Sequence, residues 1–154
     1  MKSLLFIFIT LNFSLAVFAQ SNDLRKSYRE ATKSEEKANS FYEQVKTVSS
    51  SDKAVMLAYK GAGQTLLARY EPLLQRKNKV KDGIDLIEKA VQKDPDNVEI
   101  RLIRLSIQEN LPKMFKYNTQ IESDKKFIQS ALPEIQDQGL VNMIKGYLTD
   151  YSKS

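Results

Sequence analysis

The most regular pattern in the chain is a recurrence of apolar residues at three- and four-residue spacing, which is typical of amphipathic helices. Only five glycines and four prolines interrupt it, and runs of β-branched residues are scarce. The pattern predicts an all-α fold of about six helices, over 22–48, 53–70, 80–93, 98–110, 118–131 and 135–151. A length of 154 residues suits one compact helical domain, which we place over 20–154.

Two of the predicted helices are apolar on opposite faces. In 98–110, Val98 and Leu102 lie on one face and Ile100 and Ile103 on the other. In 53–70, large apolar residues gather on one face and small residues, including Gly61, on the other. A helix with two apolar faces is expected to have neighbours on both sides, and a small-residue face lets an adjacent backbone come close.

The connections between helices are predicted from polar clusters and prolines. The first helix is expected to bend near Ser40, and the dense basic run 76–81 is expected to be a solvated loop. The functional alternative for that run is contact with an anionic polymer or a lipid headgroup. Asp94, Asp96 and Asn97 favour helix capping over calcium binding, because the rest of a calcium loop is missing.

The N-terminal residues have the organisation of a secretory signal peptide. Lys2 is followed by a nearly continuous apolar run, and Val17 and Ala19 stand at the −3 and −1 positions of a cleavage site. We therefore expect cleavage after Ala19, export to the periplasm or the medium, and no integral membrane span in the mature chain. The lack of cysteine at the cleavage site excludes lipid anchoring there.

Composition removes several classes of chemistry. The chain has no cysteine and no histidine, so neither a Ser-His nor a Cys-His nucleophile system is possible. Its net charge is +5, and +4 once Lys2 is removed with the signal peptide, which is too small to predict nucleic-acid binding. The sequence predicts neither an enzyme nor a cofactor, and it provides no metal site.

The residues most suited to binding form polar strips on the two helices with opposite apolar faces. They are Lys60, Gln64, Arg101, Arg104 and Gln108. If the strips face one groove, they form a cationic lining for a carboxylate, a phosphate or an acidic peptide. The structural alternative is that Arg101 and Arg104 pair internally with Glu35 and Asp124, two carboxylates that interrupt apolar stripes.

One segment resembles a known repeat. Gly83, Ile87, Ala90 and Pro95 have the spacing found in the second helix and closing proline of a tetratricopeptide repeat, and 94–97 reads like the end of such a repeat. The whole chain is also similar to small exported helical bacterial proteins of unassigned function. The resemblance implies antiparallel hairpins with a C-terminal capping helix, and binding of a protein or peptide partner. A small anionic ligand or glycan, and a purely structural role in the envelope, stay open as alternatives.

Overall fold

The structure is a computed structural model that describes residues 21–151, except for the side chains of 150 and 151. The predicted signal peptide and its cleavage site lie outside these residues. The described part of the chain is all-α and has no strand. It contains seven helices where about six were expected: α1 over 21–30, α2 Glu35–Val45, α3 Ala54–Leu67, α4 Leu73–Lys93, α5 Val98–Asn110, α6 Ile121–Ala131 and α7 Gln138–Tyr151.

The extra helix comes from a break in the first predicted helix. The chain leaves helical geometry at 31–34, well before Ser40, and Ser34 adopts extended backbone dihedrals. The Ser34 hydroxyl accepts a hydrogen bond from the Lys37 amide at 3.2 Å, which caps α2. The break rotates the apolar face, so that Ala38, Phe41 and Val45 are buried and Glu35 is exposed.

The prediction of a loop over 76–81 is wrong, because α4 begins at Leu73 and includes the whole basic run. Pro72 occupies the position before the helix, where its missing amide proton costs no helical hydrogen bond. Lysine and arginine are good helix formers, so the run continues the helix without interruption. Lys79 pairs with Glu71 and helps to hold the start of α4 against the preceding turn.

The central helix of the fold is α3, which contacts α2, α4 and α5. Its small-residue face meets α4 directly: a Cβ atom on Gly61 would lie 2.5 Å from the Gly83 carbonyl oxygen. At the far end of the hairpin, Lys93 donates to the carbonyl oxygens of Ser50 and Asp52, just before α3. The two helices are therefore antiparallel and touch backbone to backbone at their crossing.

The second helix with two apolar faces, α5, is also enclosed. Leu102 and Leu105 on one flank, and Ile100 and Ile103 on the other, are each no more than 1% exposed. Helices α3, α4 and α6 contact it, α1 reaches it through Arg25, which is described below, and α7 reaches it through Tyr147, whose hydroxyl donates to Glu109. The prediction that α3 and α5 have neighbours on opposite faces is confirmed.

Candidate functional site

The predicted arginines form an internal ion cluster on α5. Arg104 is 4% exposed and donates from Nε and Nη2 to the two carboxylate oxygens of Asp124, at 2.7 Å each. Asp124 is fully buried at the start of α6. Two parallel hydrogen bonds between a guanidinium and a carboxylate fix both distance and orientation, so this pair fixes how α6 packs on α5.

Further groups complete the cluster. Arg104 Nη1 lies 3.2 Å from Glu88 on α4, and the Tyr117 hydroxyl donates to the same carboxylate at 2.5 Å. Burial, and then the hydrogen bond to Glu88, raise the pKa of Tyr117 well above its usual value. Burial is the largest single influence and lowers the pKa of Arg104, but the hydrogen bonds to Asp124 and the attraction of Asp124 and Glu88 together outweigh burial, so the pKa is raised and the guanidinium stays charged.

Arg101 lies at the edge of this cluster. Its Nη1 lies 3.1 Å from Asp124, its Nε donates to the Pro95 carbonyl oxygen, and its guanidinium stands 5.2 Å from the centre of the Phe127 ring. The predicted internal pairing with Asp124 is confirmed for both arginines. The predicted pairing with Glu35 is wrong, because Glu35 is exposed in the first turn of α2.

The other three predicted site residues lie against different parts of the fold. Half-buried Lys60 donates to the Val48 carbonyl oxygen at 2.6 Å, and Gln64 donates to the Tyr42 hydroxyl at 3.4 Å. Gln108 is 3% exposed, and neither of its amide atoms has a hydrogen-bonding partner among the described residues. Lys60 and Gln64 therefore face the α2 side of the core, and the arginines face α4 and α6. The five residues do not line one groove.

A second buried cluster joins the first and fifth helices. Arg25 on α1 donates from Nε and Nη2 to both oxygens of Glu99, at 2.8 and 2.7 Å, and lies 2.9 Å from Asp137. The Tyr59 hydroxyl donates to Glu99 at 2.5 Å. The sequence predicted no role for Arg25 or Glu99, and this cluster was missed. The signal in the sequence was the Glu99 carboxylate, because a carboxylate on a helix that is predicted to have neighbours on both faces needs a buried partner.

A concave surface lies beyond this cluster, between α1, the end of α3, α5 and α7. We call it the basic-rimmed groove; its volume is about 610 Å³. Its floor is mainly apolar and consists of Tyr28, Leu66, Leu102, Ile107, Met143 and Tyr147. Gly146 forms part of the wall, and a Cβ atom there would meet nothing within 4 Å. The groove is therefore open to a ligand at this position.

Cations surround the apolar floor. Lys26, Arg29, Lys33 and Arg69 all line the groove. Lys33 pairs with Glu30, but Lys26, Arg29 and Arg69 form no side-chain ion pair or hydrogen bond with the described part of the chain. Hydrogen bonds from Lys33 and Lys37 lower the pKa of Glu30 to about 2. This carboxylate is therefore ionised, and the two lysines balance its negative charge. The positive charges of Lys26, Arg29 and Arg69 are left to attract an anionic ligand.

This arrangement is suited to binding through apolar contact and positive charge. Within residues 21–151, no group of three or more acidic side chains is placed to hold a metal ion. No helix of that same region is both long and apolar enough to cross a bilayer. Comparisons of the chain with protein-family models, with curated proteins and with solved structures find no match.

Proposed function

We propose that the chain is an exported interaction module that binds an extended, acidic peptide segment of a partner protein in the basic-rimmed groove. The observation that carries this proposal is the combination of an apolar floor with three unpaired cations at its edge. An apolar side chain of the peptide lies against Met143 and Tyr147, and its carboxylates lie near Lys26 and Arg29.

The form of the groove favours an extended chain over an enclosed small ligand. Its volume of about 610 Å³ is within the usual range of ligand sites, yet it is open along one side. A peptide enters such a surface without any movement of the helices, and its ends leave into solvent. The binding role needs no catalytic group.

The predicted compartment and helical arrangement agree with this role. The signal-peptide pattern at residues 1–19 supports export. The antiparallel α3–α4 hairpin and the enclosed α5 support a stack of tetratricopeptide-like hairpins, an architecture that presents binding surfaces built from several helices. A small anionic amphiphile is the second candidate ligand, favoured by the volume and the basic rim together.

Variants at Gly146 test the groove directly, because this position accepts a side chain without steric conflict. Acidic and apolar peptides selected from a displayed library are titrated against the purified protein by fluorescence anisotropy. Gly146→Trp fills the groove and is expected to abolish binding, whereas Gly146→Ala is expected to retain it. Equal binding by the Trp variant would refute the groove as the site.

A charge comparison tests the rim. Lys26→Gln with Arg29→Gln removes two unpaired rim cations and is expected to weaken peptide binding. Lys89→Gln with Lys126→Gln removes the same charge from exposed positions outside the groove and serves as the matched control. If both pairs of substitutions weaken binding equally, attraction depends on net charge alone and the rim has no specific role. If the protein binds a small anionic amphiphile but none of the peptides, the result would support the second candidate ligand.

A further inference from the structure

The exposed large apolar side chains of the described residues lie in two places, the α3–α4 connection with the first turn of α4, and the α5–α6 connection. Tyr70 is 41% exposed, Leu73 78%, Leu74 90% and Met114 76%. Such side chains in water are unfavourable, and their concentration in one region is typical of a contact surface. None of the four lines the basic-rimmed groove.

The two connections lie at the same end of the molecule. Helix α4 is antiparallel to α3 and begins where α3 ends. A hollow of about 260 Å³ is lined both by Arg69 and Arg76 from the first connection and by Leu111 and Phe115 from the second. We call residues 69–81 and 111–117 together the basic apolar tip.

The charge of the chain is concentrated in this tip. It contains seven cations, Arg69, Arg76, Lys77, Lys79, Lys81, Lys113 and Lys116, and a single acidic residue, Glu71. Its net charge is therefore +6, whereas the whole chain has +5 and the remainder has −1. Lys79 is the tip cation that pairs with Glu71, and Arg76 donates to backbone carbonyl oxygens. The other five form no side-chain ion pair or hydrogen bond with described residues.

We infer that the basic apolar tip docks onto the surface of an anionic lipid bilayer. Leu73 and Leu74 stand in the first turn of α4 with most of their surface in water, and neither they nor Met114 line the hollow, so these side chains protrude from the surface instead of forming a recess. A bilayer interface matches this arrangement, because its outer layer is anionic and apolar chains begin just beneath it. The leucines and Met114 insert between headgroups, and the tip cations contact lipid phosphates.

The docking does not depend on the peptide proposal, since its exposed apolar side chains and all of its cations except Arg69 lie outside the groove. It leaves the opposite ends of α3 and α4 facing away from the bilayer. The groove shares Arg69 with the tip, so a bound peptide would lie near the membrane surface. The tip requires no membrane-spanning segment.

A single tryptophan reports the insertion, because the chain has none of its own. Leu74→Trp places the probe in the tip, and Gln92→Trp places it in the last turns of the same helix, about 27 Å away at ~1.5 Å per residue. With vesicles containing phosphatidylglycerol, the emission of the Leu74→Trp protein is expected to shift to shorter wavelength, and that of the Gln92→Trp protein is not. Phosphatidylcholine vesicles are expected to give no shift with either.

Co-sedimentation with the same vesicles separates insertion from charge attraction. Leu73→Ser with Leu74→Ser should weaken binding roughly tenfold or more through loss of apolar contact, with the helical circular dichroism unchanged. Raising the salt from about 0.1 to 1 M should release the unmodified protein, because the screening length falls from about 10 to 3 Å. Binding that is unaffected by the serine substitutions, or equal on both vesicles, would overturn the proposal. Binding to polyglutamate without binding to vesicles would overturn it in favour of an acidic protein surface.

Discussion

The contact between Gly61 and Gly83 gives a sharp test of the packing. In Gly61→Ala the new Cβ atom would lie 2.5 Å from the Gly83 carbonyl oxygen and 2.9 Å from Ile87 Cγ1. The first of these atoms belongs to the backbone of α4 and cannot rotate away. An ordinary contact begins near 3.4 Å, so the two helices must separate by about 0.9 Å at their crossing.

Two opposing effects determine the size of the result. Alanine is better than glycine in a helix by about 1 kcal/mol. Overpacking a well-filled interface costs typically about 1–3 kcal/mol, and the core around Ile87 has little space for relaxation. Because the nearest atom is backbone, the cost lies in the upper part of that range, at about 2–3 kcal/mol, and the net expectation for Gly61→Ala is a loss of about 1–2 kcal/mol in the free energy of unfolding. The melting temperature should then fall by roughly 3–8 °C for a domain of this size.

Gly146→Ala is the matched control, because it makes the same substitution inside α7 where the Cβ atom meets nothing within 4 Å. Only the propensity gain applies there, so this variant should be more stable by about 0.5–1 kcal/mol. Differential scanning calorimetry of both variants measures the two shifts under the same conditions. A Gly61→Ala protein as stable as the Gly146→Ala protein would refute the backbone contact.

Three further predictions concern buried polar groups. Asp124→Ala leaves Arg104 buried without its carboxylate and should reduce the free energy of unfolding by about 3–5 kcal/mol in urea titrations, whereas replacing both residues by apolar ones should cost less. Burial and Glu99 raise the pKa of Tyr59 above 10.0, so the unfolded chain releases this proton first and stability should fall above about pH 10. Tyr59→Phe should reduce that loss in thermal unfolding, with the remainder due to Tyr117, whose pKa is also raised by burial, and Tyr70→Phe at an exposed position should leave the loss unchanged. Gln108→Met removes two unpartnered amide atoms and should raise the free energy of unfolding by about 1 kcal/mol; an unchanged or lower value would show that the amide is satisfied in solution.

Local patterns predicted the parts of the fold that depend on local physics. The bounds of α5 agree with the predicted 98–110, since Asn97 caps its start by accepting from the Glu99 and Ile100 amides. Its two buried flanks followed from helical spacing alone. The pairing of Arg104 with Asp124 was also predictable, because a carboxylate within an apolar stripe must be buried with a partner.

The errors have physical causes that act beyond the local pattern. The break before α2 depends on a serine cap that competes with continuation of the helix, and apolar spacing contains no information on that competition. The start of α4 depends on contacts of Arg76 and Lys79 with the preceding turn. The basic-rimmed groove is formed by four helices that are distant in sequence, so no local pattern groups its residues into one surface.

The ion pair between Arg25 and Glu99 joins residues 74 positions apart and ties the first helix to the fifth. In a stack where each hairpin contacts only its neighbours, terminal helices fray before the centre opens. Here buried arginine–carboxylate pairs join α5 to α1 on one side and to α6 on the other, so neither α1 nor α6 detaches from α5 without exposing a buried charge. Amide protons of α1 should consequently exchange with solvent nearly as slowly as those of α5, and the chain should behave as one cooperative unit.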